Sequence, residues 1–269
     1  MPLRSLLPRL VALCVWLSIG QAQAAGSEAC TPGVLAVLGG ALKVAHFVPG
    51  PNDDGNDAAG VIVATACKRA PDDPKLVLAA VAWDAHAEDS KALAVAVVDD
   101  AAGTVVALLK DEIGEDAATQ VSDGSLRLDT APYTLAPGVR AFGLDVFHTN
   151  GSCGEGGSGA SRTLYVRDGK TLRPVLVDLT MSEYWYIRGN QPRCVADQKE
   201  ADNAILEDFT LTIALGEPGK SGWRDLALTG TSKRSDHKPG RKPLHVAVPY
   251  DGKSYPLDAF NKAWQRWRQ

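Results

Sequence analysis

Phe209-Thr-Leu-Thr-Ile-Ala-Leu215 alternates apolar side chains with small or polar ones. Successive side chains of an extended strand point to opposite faces. Phe209, Leu211, Ile213 and Leu215 therefore share one side, and Thr210 and Thr212 the other. One dry face and one wet face is the pattern of an antiparallel layer. Outward from this stretch, similar runs recur between turn signals. Leu226, Leu228 and Gly230 continue a later strand. Residues 163–167 and 172–177 flank Asp168-Gly169, and residues 245–250 and 253–257 flank Asp251-Gly252. Asp-Gly is a favoured two-residue hairpin turn. Residues 93–98 and 104–110 flank a longer turn. Residues 61–67, 76–83, 126–128 and 139–149 are further runs. Residues 34–48 read as another β-type run, interrupted by Gly39-Gly40.

Helix signals are few. Residues 258–267 place Phe260, Trp264 and Trp267 at helical spacing, with Asp258 as the expected cap. Residues 196–206 fit a short helical turn. The alanine-rich residues 79–87 have helix propensity, but Val81, Trp83 and the turn spacing assign them to a strand. Together these signals predict a mainly β fold: a disulfide-stapled β-sandwich-like domain with a short C-terminal helix. A partial β-propeller-like arrangement is the alternative, disfavoured because no repeat of about 40 residues is sustained.

The chain has 269 residues, 45% hydrophobic and 22% charged, which suits a globular core rather than disorder. Arg4 and Arg9 precede an apolar stretch at residues 10–19, and Ala22-Gln23-Ala24 follows it. That order is a secretory signal with its cleavage site. The apolar stretch is too short to span a bilayer, and Cys14 within it has no lipobox around it. The expectation is a signal peptide at 1–24 and a mature β-rich domain at 25–269 with no transmembrane span, periplasmic or secreted. Two subdomains divided near 115–125 are possible. The net charge is −4, unevenly spread: residues 25–150 hold 18 acidic and 8 basic side chains, residues 151–269 hold 14 acidic and 18 basic. An acidic exported chain argues against nucleic acid as a partner.

Four cysteines remain after the signal: Cys30, Cys67, Cys153 and Cys194. An even number in an oxidising compartment predicts two structural disulfides. Three pairings are open, and Cys30–Cys67 with Cys153–Cys194, one in each half of the chain, is favoured. The spacing fits neither a C-x-x-C redox motif nor a structural zinc site.

Two segments resemble parts of uncharacterised exported proteobacterial proteins. They are Ser125-Leu-Arg-Leu-Asp-Thr-Ala-Pro-Tyr-Thr-Leu-Ala-Pro-Gly-Val-Arg-Ala-Phe-Gly-Leu144 and Thr163-Leu-Tyr-Val-Arg-Asp-Gly-Lys-Thr-Leu-Arg-Pro-Val-Leu176. The resemblance implies an envelope location in a Gram-negative cell. It brings no activity, cofactor or site residue with it.

Several motifs invite a chemistry and fall short of it. Residues 214–221 (Ala-Leu-Gly-Glu-Pro-Gly-Lys-Ser) loosely follow a phosphate loop, but the helix that must hold the phosphates is missing. Gly154, Gly156 and Gly159 fit a dinucleotide spacing, yet a strand rather than a helix follows. Asn52, Asp54 and Asp57 surround Gly55 with oxygen donors and form the best calcium candidate, but they lack the spacing of a helix-loop-helix site and a solvated turn is the preferred reading. Asp84, His86 and Glu88 would share a strand face and could hold a metal, or mark a strand end entering a polar loop. Residues 233–242 form a basic loop that could meet phosphates, though a solvated connection between strands is the preferred reading. The tail from Lys262 to Arg268 is basic and aromatic, better suited to docking on a sheet than to lying on a membrane. Tyr184-Trp185-Tyr186 could line a sugar- or peptide-binding face, with at least one of the three in the core. No local motif selects catalytic residues, and no cofactor or metal is expected. The leading functional expectation is a non-enzymatic envelope protein that binds another protein or a wall or surface polymer. A hydrolase of an envelope polymer and an envelope structural or assembly factor are the alternatives.

Overall fold

The computed structural model describes residues 27–44, 47–49, 60–117, 119–150 and 156–269. In chain order these form helix α1 (Pro32–Leu42) and strands β1 (Val48–Pro49), β2 (Val61–Arg69), β3 (Leu76–Asp84), β4 (Ser90–Asp99) and β5 (Thr104–Gly114). The short β6 (Thr119–Gln120), then β7 (Leu126–Ala136), β8 (Val139–Val146) and the short β9 (Thr149–Asn150) follow. Next come β10 (Gly156–Ser158), β11 (Ser161–Asp168), β12 (Thr171–Thr180) and β13 (Ser182–Arg188). A 3-10 turn (Pro192–Cys194), α2 (Gln198–Asp202), β14 (Ile205–Pro218), β15 (Arg224–Arg234), β16 (Leu244–Val248) and α3 (Asp258–Arg268) complete the order. The protein is mainly β, as the alternating sequence predicts.

Nine strands form one sheet in the order β1-β2-β3-β4-β5-β12-β11-β8-β7. β1 adds in parallel to β2, and the other eight strands are two antiparallel four-stranded ribbons, joined where Thr171 of β12 pairs in parallel with Leu108 of β5. The sheet curls into a half-barrel, so that β7 returns to face β2 and β3. Ser27 and Glu28 bridge that seam. Glu28 exchanges both backbone hydrogen bonds with Cys67 of β2, at 2.9 and 2.7 Å. The Ser27 hydroxyl accepts from the Leu128 N–H of β7 at 2.6 Å and donates to its carbonyl at 3.4 Å. The interior combines alanines of β2 and β3 (Ala64, Ala66, Ala80, Ala82) with Leu126, Leu128, Phe142, Leu144 and Tyr165.

Strands β3 and β4 are nearly continuous apolar runs because both their faces are covered. Leu78, Ala80, Leu93 and Val95 point into the half-barrel. Ala79, Val81, Ala94 and Ala96 point out, against α1. Here the β reading of residues 34–48 is corrected. The Thr31 hydroxyl accepts from the Val34 N–H, and Pro32 occupies the first turn where its missing N–H costs nothing. Val34, Leu38 and Leu42 then recur every fourth residue and are buried. Period-four burial against a small-residue sheet face outweighs the β-branched content and the Gly39-Gly40 pair.

The Cys30–Cys67 disulfide fastens the start of α1 to β2 with a Cα–Cα distance of 4.9 Å. It closes a separation of 37 residues, worth about 3–4 kcal/mol in the chain-entropy model. Cys30→Ser with Cys67→Ser is therefore expected to lower the melting temperature by about 10 °C. Differential scanning calorimetry checks this, and an unchanged transition contradicts it. Cys194 is also disulfide-bonded, and Cys153 lies outside the described residues, as do residues 1–24 and Asn52, Asp54 and Asp57.

The second sheet is antiparallel, in the order β10-β13-β14-β15-β16. Its inner residues Phe209, Leu211, Leu226, Leu228 and Val248 share one core with Leu135, Leu164, Val166 and Leu176 of the first sheet. Phe260 and Trp264 of α3 belong to the same core. Gly230 lets the helix sit close: a β-carbon there would lie 2.7 Å from the Trp264 ring. Asp258 lies inside the first turn rather than at the cap, a position where its charge suits the helix dipole. The Asp168-Gly169 signal gives the β11–β12 hairpin, with Gly169 at φ 60°. Asp251-Gly252 gives a turn but no second strand, because residues after it dock instead on β12: the Tyr255 N–H donates to the Val175 carbonyl at 2.7 Å. Residues 115–125 carry β6 and send Val121 into the half-barrel core.

Candidate functional site

The inner face of the second sheet is buried; its outer face is not. The pairing register fixes what that outer face presents. Tyr184, Asp208 and Lys233 lie opposite one another on β13, β14 and β15. Ser182, Thr210 and Thr231 form the next row, and Thr212, Thr229 and His245 the row after it, reaching β16. Asp208, Thr210, Thr212, Thr231, Lys233 and His245 are exposed. Alternation puts Asp208, Thr210 and Thr212 there, since Phe209 and Leu211 take the other side, and the register carries Thr231, Lys233 and His245 to the same face.

The hydroxyls are oriented by the sheet itself. Thr212 donates to the Thr229 carbonyl at 3.3 Å, and Thr231 to the Thr210 carbonyl at 3.5 Å. Thr229 Oγ1 lies 3.1 Å from His245 Nδ1. A hydroxyl that donates inward keeps lone pairs for a ligand donor.

An open groove of about 610 Å³ borders this face, lined by His148, Ser158, Tyr184, Tyr186, Gln191, Pro192, Leu206 and Asp208. The Tyr184 and Tyr186 rings meet edge to face with centroids 6.2 Å apart. Tyr184 is fixed: its hydroxyl accepts from Gln191 Nε2 at 3.0 Å, and Gln191 is buried. Gly157 permits the ring to lie where it does, because a β-carbon there would be 2.7 Å from the Tyr184 hydroxyl. The Cys194 N–H donates to the Gln191 carbonyl, so the 3-10 turn braces the groove wall. Trp185 points to the opposite side of β13 and is 42% exposed, with the Arg268 guanidinium 5.4 Å from its ring centre. None of the three aromatics is in the core, contrary to expectation: β13 lies toward the sheet edge, beyond the reach of the packed interior.

Comparison with protein-family models, with curated proteins and with solved structures gives no match.

The other sequence candidates have structural explanations. Residues 214–221 are the end of β14 and its turn into β15, with Gly219 and Trp223 hydrogen-bonded across it. Gly156 opens β10, and Gly154 lies outside the described residues. Asp84 ends β3, and His86 turns away from it at φ 61°. The His86 N–H donates to Asp84 at 2.7 Å and holds that carboxyl below the usual range. Asp84 also meets Lys91 at 3.5 Å, so the acid serves a turn. Among the described residues no cluster of His, Cys, Asp or Glu has the geometry of a metal site. In the basic loop, Arg234 grips Asp236, whose carboxyl is held down to about 2. Arg241 donates to the Trp267 carbonyl at 2.8 Å and to Glu207 at 3.4 Å. Lys233, Lys238 and Lys242 are the cations left exposed. In the tail, Glu183 accepts from Trp264 Nε1 at 3.1 Å and from Arg268, which docks α3 on β13. No helix among the described residues is long and apolar enough to cross a membrane.

Sequence reading missed one charged cluster. Asp145 of β8 is fully buried and accepts two bonds from Arg162 of β11, at 2.6 and 2.9 Å. Arg127 of β7 adds 2.8 and 3.2 Å contacts from the solvent side. Arg162 also bonds Asp129 and the Tyr133 hydroxyl, which itself donates to Asp129 at 2.7 Å. Burial pushes the Tyr133 hydroxyl far above the phenol range, so it remains a donor. Burial works against the Arg162 charge, but Asp145 outweighs it and holds the guanidinium protonated. The faint signal was a charged residue in an apolar run on three strands. Every group in the cluster is satisfied by another, so it reads as a clamp across β7, β8 and β11.

Proposed function

We propose that the chain is an exported, non-enzymatic binding protein of the bacterial envelope, and that the outer face of its five-stranded sheet is the ligand surface. One observation carries this reading. A sheet face left uncovered by the described residues adjoins a groove holding a paired, partly exposed tyrosine couple, with Tyr184 locked by buried Gln191. Fixing a partly exposed aromatic with a buried amide contributes little to a core. It does pre-organise a contact surface, because tyrosine offers rigid amphipathic area at low entropic cost. The apolar signal region at residues 1–24 and the disulfides support export.

Site-specific photocrosslinking in the exporting cell tests the proposal. A photoreactive amino acid at Thr231 or His245 is expected to capture a discrete adduct. The same group at Lys110, exposed on β5, is expected to capture none. Adding Tyr186→Ala should reduce the Thr231 adduct at least fivefold. Equal capture from Thr231 and Lys110, or no capture from the sheet face, contradicts the assignment.

A further inference from the structure

The same face points to one class of ligand, and this step rests on the binding reading above. We infer that the ligand is an uncharged glycan chain that lies across the strands, from the tyrosine groove toward β16.

Three features separate a glycan from the alternatives. The first is hydroxyl density. Ser182, Thr210 and Thr231 form one cross-strand row, and Thr212 and Thr229 continue into the next. Adjacent strands lie about 4.8 Å apart, so these rows present regularly spaced hydroxyls, of which Thr212 and Thr231 keep their acceptor lone pairs for a ligand. Sugar hydroxyls can donate to acceptors so placed. Their inward hydrogen bonds to strand carbonyls leave Thr212 and Thr231 oriented before a ligand arrives, so less side-chain freedom is lost on binding.

The second feature is what the backbone withholds. An extended peptide gains most by adding itself to an open strand edge. Strands β14 and β15 are paired on both sides, so the floor of this face has no main-chain edge to offer. A ligand there is read by side chains alone, which suits a chain that carries its own polar groups around each ring.

The third feature is charge. Asp208 and Lys233 stand in one row with Tyr184, so opposite charges balance across the platform. A polyanion would meet Asp208 as well as Lys233, and a polycation would meet the reverse. At the groove end Tyr186 offers a ring for the apolar C–H face of a sugar, next to the fixed Tyr184.

The test is calorimetric and NMR titration of the mature protein with two neutral probes, the β-1,4-linked tetramers of glucose and of N-acetylglucosamine. Heparin serves as the polyanionic probe. Saturable binding of at least one tetramer is expected, little changed between low and high salt. Tyr186→Ala should weaken it at least tenfold, and Thr210→Val with Thr231→Val at least threefold. Lys110→Ala should leave it unchanged. Tyr186→Phe, which keeps the ring, should retain most of the affinity. Melting temperatures establish that the variants are folded. Failure of the wild type to bind either tetramer at millimolar concentration overturns the glycan assignment, as does strongly salt-dependent binding of heparin alone. If photocrosslinking from Thr231 then still captures a protein, the binding face stands and only the ligand class falls. If it captures nothing, both readings fall together.

Discussion

Arg162→Met is expected to destabilise the protein by about 3–5 kcal/mol, the range for breaking a buried ion pair by removing one partner. Asp145 has no exposed surface, and Arg162 supplies two of its four contacts. Arg127, whose side chain is 55% exposed, would be left as its counter-ion. Asp129 and the Tyr133 hydroxyl would lose the same donor. Methionine fills much of the volume, so the loss reports charge and hydrogen bonding rather than a cavity. The melting temperature should fall by about 10 °C or more. Arg162→Met combined with Asp145→Leu should recover part of that loss, since an apolar pair removes the stranded charge along with its partner. A single-variant loss below about 1 kcal/mol would mean that the cluster is solvated in solution and does not clamp the three strands.

Trp264→Ala is expected to cost a similar amount, about 3–5 kcal/mol, for a different reason. Trp264 is 4% exposed, lies over Gly230, and touches Phe209, Phe260 and Trp267. Its indole N–H also satisfies Glu183. Truncation opens a cavity between α3 and the second sheet and takes a donor from a largely buried carboxylate. Trp264→Phe separates the two effects: it keeps most of the packing and loses the hydrogen bond, which should cost about 1.5–3 kcal/mol. Gly230→Val approaches the same contact from below and should match Trp264→Ala in direction. Denaturant melts of the three variants check the ranking. A full-strength Gly230→Val protein would show that α3 does not rest on β15.

The parts of the fold that were legible in the sequence are those where one periodicity acts alone. Residues 209–215 alternate because one side is dry and the other wet, and the two sides appear as expected. The α3 spacing of Phe260, Trp264 and Trp267 was equally plain, because a surface helix buries one stripe. Residues 32–42 were not legible as a helix. Their Val, Leu, Ala and Gly content is compatible with either state, and the deciding partner is the alanine-rich outer face of β3 and β4, remote in sequence. The curl of the nine-stranded sheet was hidden for the same reason. It depends on Ser27 bonding Leu128, contacts between residues about a hundred positions apart.

The candidate site divides along similar lines. Tyr184, Tyr186, Thr210 and Thr212 were visible as exposed-face candidates. Their assembly into rows with Thr229, Thr231 and His245 required the register, which short-range pattern does not specify. Gln191 carried no signal, since a buried amide behind a proline looks like any loop residue. The basic loop, which in sequence could meet phosphates but read better as a solvated connection, is mostly exposed, with Arg234 and Arg241 engaged by the protein's own acids and carbonyls.

Hydroxyl-radical footprinting of the exported protein, with and without an isolated envelope fraction, tests the central claim most directly. Tyrosines report well by this method, and the stacked Trp223–Tyr250 pair, with centroids 4.0 Å apart, provides an internal reference away from the proposed face. The account predicts that oxidation of Tyr184, Tyr186 and His245 falls in the presence of the envelope fraction while Trp223 and Tyr250 are unchanged. Protection confined to Trp223 and Tyr250, or none at Tyr184 and Tyr186, would contradict the assignment of the sheet face as the ligand surface.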